Sequence, residues 1–172
     1  MTKKGNKSFW HTLPGILTGI AGIIGAIATL WVALHSYGSV SPTPSPTLIT
    51  ITSPKEGDKV QGYSMVTGTI RGELLEGQYM RIISNIQSIP GAWWPQGGAI
   101  KPQNGFWNAE VWLGFDEIDA GKNFTIAVIL VNEDDNKNLV KYGEEARITG
   151  KYDPISFPNN ATIMDKVTVT RI

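Results

Sequence analysis

Residues 106–114 read FWNAEVWLG, and their side chains alternate in character along the whole stretch. In an extended chain Trp107, Ala109, Val111 and Leu113 fall on one face, and Phe106, Asn108, Glu110 and Trp112 on the other. A period of two is that of a half-buried strand, with Trp107 as the aromatic centre of a core. Working outward, the same kind of run recurs. LITIT (48–52), VQGYSMVTGTI (60–70) and QYMRIISNI (78–86) precede it, and NFTIAVILVN (123–132), EARITGKY (145–152) and KVTVTRI (166–172) follow. Gly, Pro, Asn and Asp separate them, as in SPKEGD (53–58). Met80, Ile82 and Ile86 share a face opposite Arg81 and Asn85, and Val167 and Val169 face inward between Lys166, Thr168 and Thr170. FTIAVILV is apolar on both faces and reads as a central strand. No helical apolar period of useful length occurs in this region. Seven β-type runs at this spacing point to an all-β immunoglobulin-like sandwich over residues 48–172.

Ahead of the sandwich, Leu13 to Leu34 contains no charged side chain. Its 22 residues, as a helix, span about 33 Å, the thickness of a bilayer core. Lys3, Lys4 and Lys7 precede the run, and the next basic residue is Lys55, so the basic tail at 1–12 is expected in the cytoplasm and the rest outside. Trp10, Trp31 and Tyr37 suit the interfacial aromatic belts. A cleaved signal peptide has a shorter apolar region, and the small residues Ala26 and Ala28 lie inside the run rather than after it. The expectation is one transmembrane α-helix at 13–35 in a single-pass cell-membrane protein. Gly15, Gly19 and Gly22 are spaced to let two such helices approach closely, which would make a homo-oligomer; glycine is also simply common in membrane spans. Residues 36–47, rich in Pro, Ser and Thr, form an extended spacer.

Composition excludes several function classes. After the apolar run there remain 12 basic and 15 acidic residues, scattered singly, which argues against a nucleic-acid partner. The chain has no cysteine, and its two histidines, His11 and His35, border the apolar run. Cys–His and Ser–His–Asp catalysis and the common zinc sites are therefore absent from the β region.

Three constellations remain. In GAWWPQGG (91–98), Trp93 and Trp94 beside Gln96 could stack on a sugar ring and hydrogen-bond its hydroxyls. The alternative is a structural loop in which Trp94 is an anchor and Pro95 fixes the turn. In NEDDNKN (132–138), Asp134, Asn136, Asn138 and Glu145 occupy calcium-loop positions, but Leu139 stands where glycine is required, so an acidic surface hairpin is expected. Glu110, Asp116, Glu117 and Asp119 could supply a carboxylate pair; the last three read as turn residues in FDEIDAG. Asn123 and Asn160 open glycosylation sequons.

The order of short motifs resembles a widespread prokaryotic family of extracytoplasmic β-sandwich domains of unknown function. Ser53-Pro54 with Gly57, Val66-Thr67-Gly68, Trp94-Pro95-Gln96, Gly105-Phe106-Trp107, Leu113-Gly114, Gly121 to Phe124, Tyr142 and Asp165 to Arg171 follow that family's sequence of elements. Trp94 stands where tyrosine is usual. The segment at 9–30 is similar to an amino-terminal anchor found in cyanobacterial and archaeal proteins. The resemblance implies a fold and an extracellular setting, and no catalytic residues. The expected protein is a non-catalytic interaction module with no catalytic residues, metal or cofactor. Its partners would be the lipid bilayer, through the amino-terminal helix, and an extracytoplasmic protein or glycan. The alternative is a carbohydrate-binding module using Trp93 and Trp94.

Overall fold

The computed structural model describes residues 46–172. The apolar run at 13–35, with Gly15, Gly19 and Gly22, lies outside the described residues. Within them, no helix is long and apolar enough to cross a membrane. In chain order the elements are β1 (Leu48–Ser53), β2 (Lys59–Val60), β3 (Tyr63–Arg71), β4 (Tyr79–Ile86), β5 (Trp94–Ile100), β6 (Phe106–Trp112), α1 (Asp116–Asp119), β7 (Asn123–Val131), α2 (Glu133–Thr149) and β8 (Thr162–Arg171).

The fold is mostly β, in two sheets. One has the order β1-β3-β6 and the other β2-β8-β7-β4-β5. All pairings are antiparallel except that of β2 with β8. Ile49, Val66, Trp107 and Val111 of the smaller sheet meet Met80, Ile82, Phe124, Ile126, Val128, Val167 and Val169 of the larger in one core, an arrangement consistent with a β-sandwich. The alternation in FWNAEVWLG is realised as read. Trp107 is buried, and its indole Nε1 donates to the Thr69 carbonyl at 3.2 Å. Gly68 allows this, because a Cβ there would strike the Trp107 ring and the Thr50 carbonyl. The chain enters β6 through Asn104-Gly105, both at positive φ (52° and 80°). This is the backbone of a tight type I′ turn, which Asn-Gly favours.

Three expectations are corrected. NEDDNKN is not a hairpin, and EARITGKY is not a strand: the first opens α2 and the second closes it, with Lys151 and Tyr152 beyond its end. Asn132 caps it, its side chain accepting the Asp135 N–H at 2.9 Å. Glu133, Asp134 and Asp135 occupy the first turn, where the helix dipole favours acids. Gly150, left-handed at φ 70°, closes the other end by donating its N–H to the Ala146 carbonyl at 2.8 Å. The fold is thus mostly β rather than all-β. The loop expected at GAWWPQGG is likewise largely strand β5, paired with β4.

The helix explains why FTIAVILV is apolar on both faces. β7 lies between β8 and β4; Phe124, Ile126 and Val128 face the other sheet, while Ala127, Ile129 and Val131 pack with Ile83 against Leu139 of α2. Arg81 and Asn85 lie opposite Met80 and Ile82, as read, but on a second covered face. Asn85 Nδ2 donates to the carbonyls of Ile89 and Ala92 at 3.0 and 2.7 Å. Burial lowers the Arg81 pKa from its usual value.

Candidate functional site

Among the described residues, one sheet face is left uncovered. On the outer side of the smaller sheet, register pairs Tyr63 with Trp112, Met65 with Glu110, Thr67 with Asn108 and Thr69 with Phe106. Thr50 and Thr69 join through their hydroxyls at 2.8 Å, and Thr52 and Thr67 at 3.2 Å. Trp112 is 65% exposed, Phe106 66%, Met65 49% and Tyr63 47%. Aromatic groups thus stand at the two ends of β6, with amide, hydroxyl and carboxylate groups between them. Exposed apolar residues scattered singly need no explanation, whereas clustered ones mark contact surfaces.

Tyr63 and Trp112 form the densest part of this face. Their ring centroids are 4.8 Å apart and the planes tilted by 52°. Glu110 stands diagonal to Tyr63 across the strands. Interaction with that carboxylate, with a smaller contribution from desolvation, raises the phenol pKa above its ordinary value. Beyond the pair, a cleft of about 450 Å³ is lined by Gln61, Gly62, Gly114, Glu117, Arg171 and the two rings, among others.

Arg171 lines this cleft, and Asp119 packs behind its Gly114. The Arg171 guanidinium donates to the Phe115 carbonyl at 2.7 Å. Asp119 is buried; it accepts the Phe115 N–H at 2.8 Å and pairs with Lys122 at 2.7 Å. Burial pushes its pKa up, but the Lys122 hydrogen bond, the Phe115 N–H and the charges of Lys122 and Arg171 together take it below the ordinary value. Gly114 permits the close packing, since a Cβ there would collide with the Asp119 carboxylate.

The structure places the other sequence-selected residues as follows. Trp93 and Trp94 point to opposite faces of the larger sheet. Trp94 packs against the inter-sheet core, and its Nε1 donates to the Tyr152 carbonyl at 3.0 Å. Trp93 joins the cluster under α2, edge-to-face with Phe157 at 5.5 Å, and its backbone exchanges hydrogen bonds with Ile155. Both rings are half-buried. Gln96 is buried and fully engaged within the protein: Nε2 donates to Ser84 Oγ at 2.9 Å, and Oε1 accepts the Trp112 N–H at 2.9 Å. Its amide therefore ties the two sheets together immediately behind the exposed Trp112 ring. At the opposite edge Asp165 does the same, accepting the Ile51 N–H at 2.8 Å.

Glu110 and Glu117 are exposed, and Asp116 opens the short helix α1. Asp134, Asn136, Asn138 and Glu145 are spread along α2 rather than gathered round a loop. Among the described residues no group of three or more His, Cys, Asp or Glu is placed to hold a metal. Asn123, exposed at the start of β7, accepts the Thr170 hydroxyl at 2.9 Å; Asn160 is exposed, its N–H donating to Asp135 Oδ2 at 3.0 Å. Tyr63, which sequence reasoning passed over, needs the β3–β6 register to be found. Trp112 was already outward-facing in the alternation. Comparison with protein-family models gives no match, and comparison with curated proteins gives none either.

Proposed function

We propose that this chain is a single-pass, extracytoplasmic interaction module, anchored by Leu13 to Leu34 and displaying an immunoglobulin-like sandwich that makes contacts rather than breaking bonds. The membrane setting rests on the uncharged 22-residue run with lysines on one side only. The immunoglobulin-like class is supported by the two antiparallel-dominated sheets and the buried Trp107. A membrane-helix homo-oligomer through Gly15, Gly19 and Gly22 belongs to the same reading. A non-catalytic role is supported by the state of the acids: Asp119 is neutralised by Lys122, and Glu110 and Glu117 are exposed.

The observation behind this reading is the Tyr63–Trp112–Phe106 face, which no other described residue covers. The larger sheet has its outer face under α2, while the smaller sheet presents its aromatic residues to solvent. A photo-crosslinking residue in place of Met65, in the full chain in native membranes, tests it. Specific adducts should form from position 65 and not from position 140 on the outside of α2. Equal labelling from both positions, or none from 65, would contradict the assignment.

A further inference from the structure

We infer that Asn104 is a site of spontaneous modification, where the Gly105 backbone nitrogen displaces the side-chain amide and water then opens the ring to aspartate or isoaspartate. Of the chain's asparagines, Asn104 alone is followed by glycine. The turn from Gln103 to Phe106 needs positive φ at both central residues, and Asn-Gly supplies it at 52° and 80°. The pairing that makes the turn also sets a carboxamide beside a peptide nitrogen that no side chain shields. Both residues are exposed. Among the described residues, neither the Asn104 side chain nor the Gly105 N–H makes a hydrogen bond. The carboxamide is therefore free to rotate toward the nitrogen, and no existing bond must break first.

The reaction balances with water as the only co-reactant. Gly105 N bonds to Asn104 Cγ, the Cγ–Nδ2 bond breaks, and ammonia leaves carrying the proton from Gly105 N, which gives a succinimide. Water adding at Cγ leaves aspartate. Water adding at the main-chain carbonyl leaves isoaspartate, whose backbone runs through Cγ and is one carbon longer. Several other asparagines are held in place: Asn85 donates to two carbonyls, Asn132 caps α2, and Asn123 accepts from Thr170. Asn159 and Asn160 are exposed, but the residues that follow them, Asn160 and Ala161, carry side chains that crowd the attacking nitrogen. The hairpin restrains the reaction at Asn104. Gln103 and Phe106 exchange backbone bonds at 2.8 and 2.9 Å, and the Ile70 N–H donates to the Gly105 carbonyl at 2.9 Å. Ring closure therefore draws on local opening, which costs least at an exposed loop tip. An isoaspartyl product would lengthen a two-residue turn that fixes where Phe106 enters β6.

The test uses the full chain in nanodiscs, incubated at mildly alkaline pH in water enriched in oxygen-18, then digested in ordinary water and mapped by mass. An amide-to-acid exchange carrying the labelled oxygen is expected on the peptide containing Asn104. It should accumulate at least tenfold faster than on the peptide containing Asn159 and Asn160, and faster still in chain unfolded by urea. Electron-transfer fragmentation should place the change on Asn104 rather than Asn108 and show both aspartate and isoaspartate. Asn104→Gly, which keeps a pair suited to the turn, should abolish the exchange on that peptide with a melting curve matching wild type. If that variant does not fold, the fragment ions of the wild type decide the site. No exchange at Asn104 in the folded chain while the unfolded chain converts would overturn the inference. So would a rate no higher than at Asn159 and Asn160, fragment ions that place the change elsewhere, or an exchange that survives Asn104→Gly.

Discussion

The amide of Gln96 spans the gap between the sheets, accepting from the Trp112 backbone and donating to Ser84. Gln96→Leu keeps the bulk but leaves a buried N–H and hydroxyl unsatisfied, a cost of about 1–3 kcal/mol. Urea denaturation should show that loss. Asp119 gives a pH signature of definite sign. Its folded pKa lies below the ordinary 3.8, so the unfolded chain binds its proton first on acidification. The stability it contributes is complete above the unfolded pKa and disappears as pH falls through the folded one. Denaturation midpoints followed from neutral pH down to about pH 3 should fall less steeply in Asp119→Asn than in wild type, although the variant starts lower at neutrality. These residues could be named from the sequence, but their roles could not. Asp119 reads locally as a turn acid, and only the fold brings Lys122, Phe115 and Arg171 around it.

At the scale of elements, legibility followed the strength of the local pattern. β6 and β8 were readable because one face is buried and the other wet, so chemistry alternates with the pleat. β5 was not, since WPQGGAI contains proline and two glycines and owes its extended form to pairing with β4 and to Gln96. α2 was missed because few apolar residues mark its buried side: Leu139 and Ala146 are buried, and Tyr142 is only partly so. Its end signals, Asn132 before three acids and Gly150 after Arg147, were present but resemble the punctuation of a hairpin. The helix also contains a soft point. Tyr142 Oη is buried without a hydrogen-bond partner among the described residues. Removing an unsatisfied hydroxyl while keeping the ring is neutral or favourable, so Tyr142→Phe should leave stability unchanged or raise it by up to about 1–2 kcal/mol. A thermal melt with the matching urea titration checks this.

For the described region as a whole, the arrangement is a larger sheet covered on both faces and a smaller one covered on one. With no cysteine in the chain, cohesion comes from the two apolar clusters and the polar ties of Gln96 and Asp165 at opposite edges. The adjacent Trp93 and Trp94 drew attention in the sequence because one ordinary core cannot hold both. The structure resolves this with two cores, one on each side of the sheet. The more exposed tryptophan is Trp112, whose outward direction alternation had already indicated and whose pairing with Tyr63 required the register. Hydroxyl-radical footprinting of the full chain, purified and then in its native envelope, tests this most directly. The account predicts that Trp112 and Tyr63 react fast when purified, that Trp107 stays protected, and that the envelope shields Trp112 and Tyr63 while leaving Trp93 and Trp94 as they were. Equal reactivity of Trp107 and Trp112, or envelope protection falling on Trp93 and Trp94 instead, would contradict it.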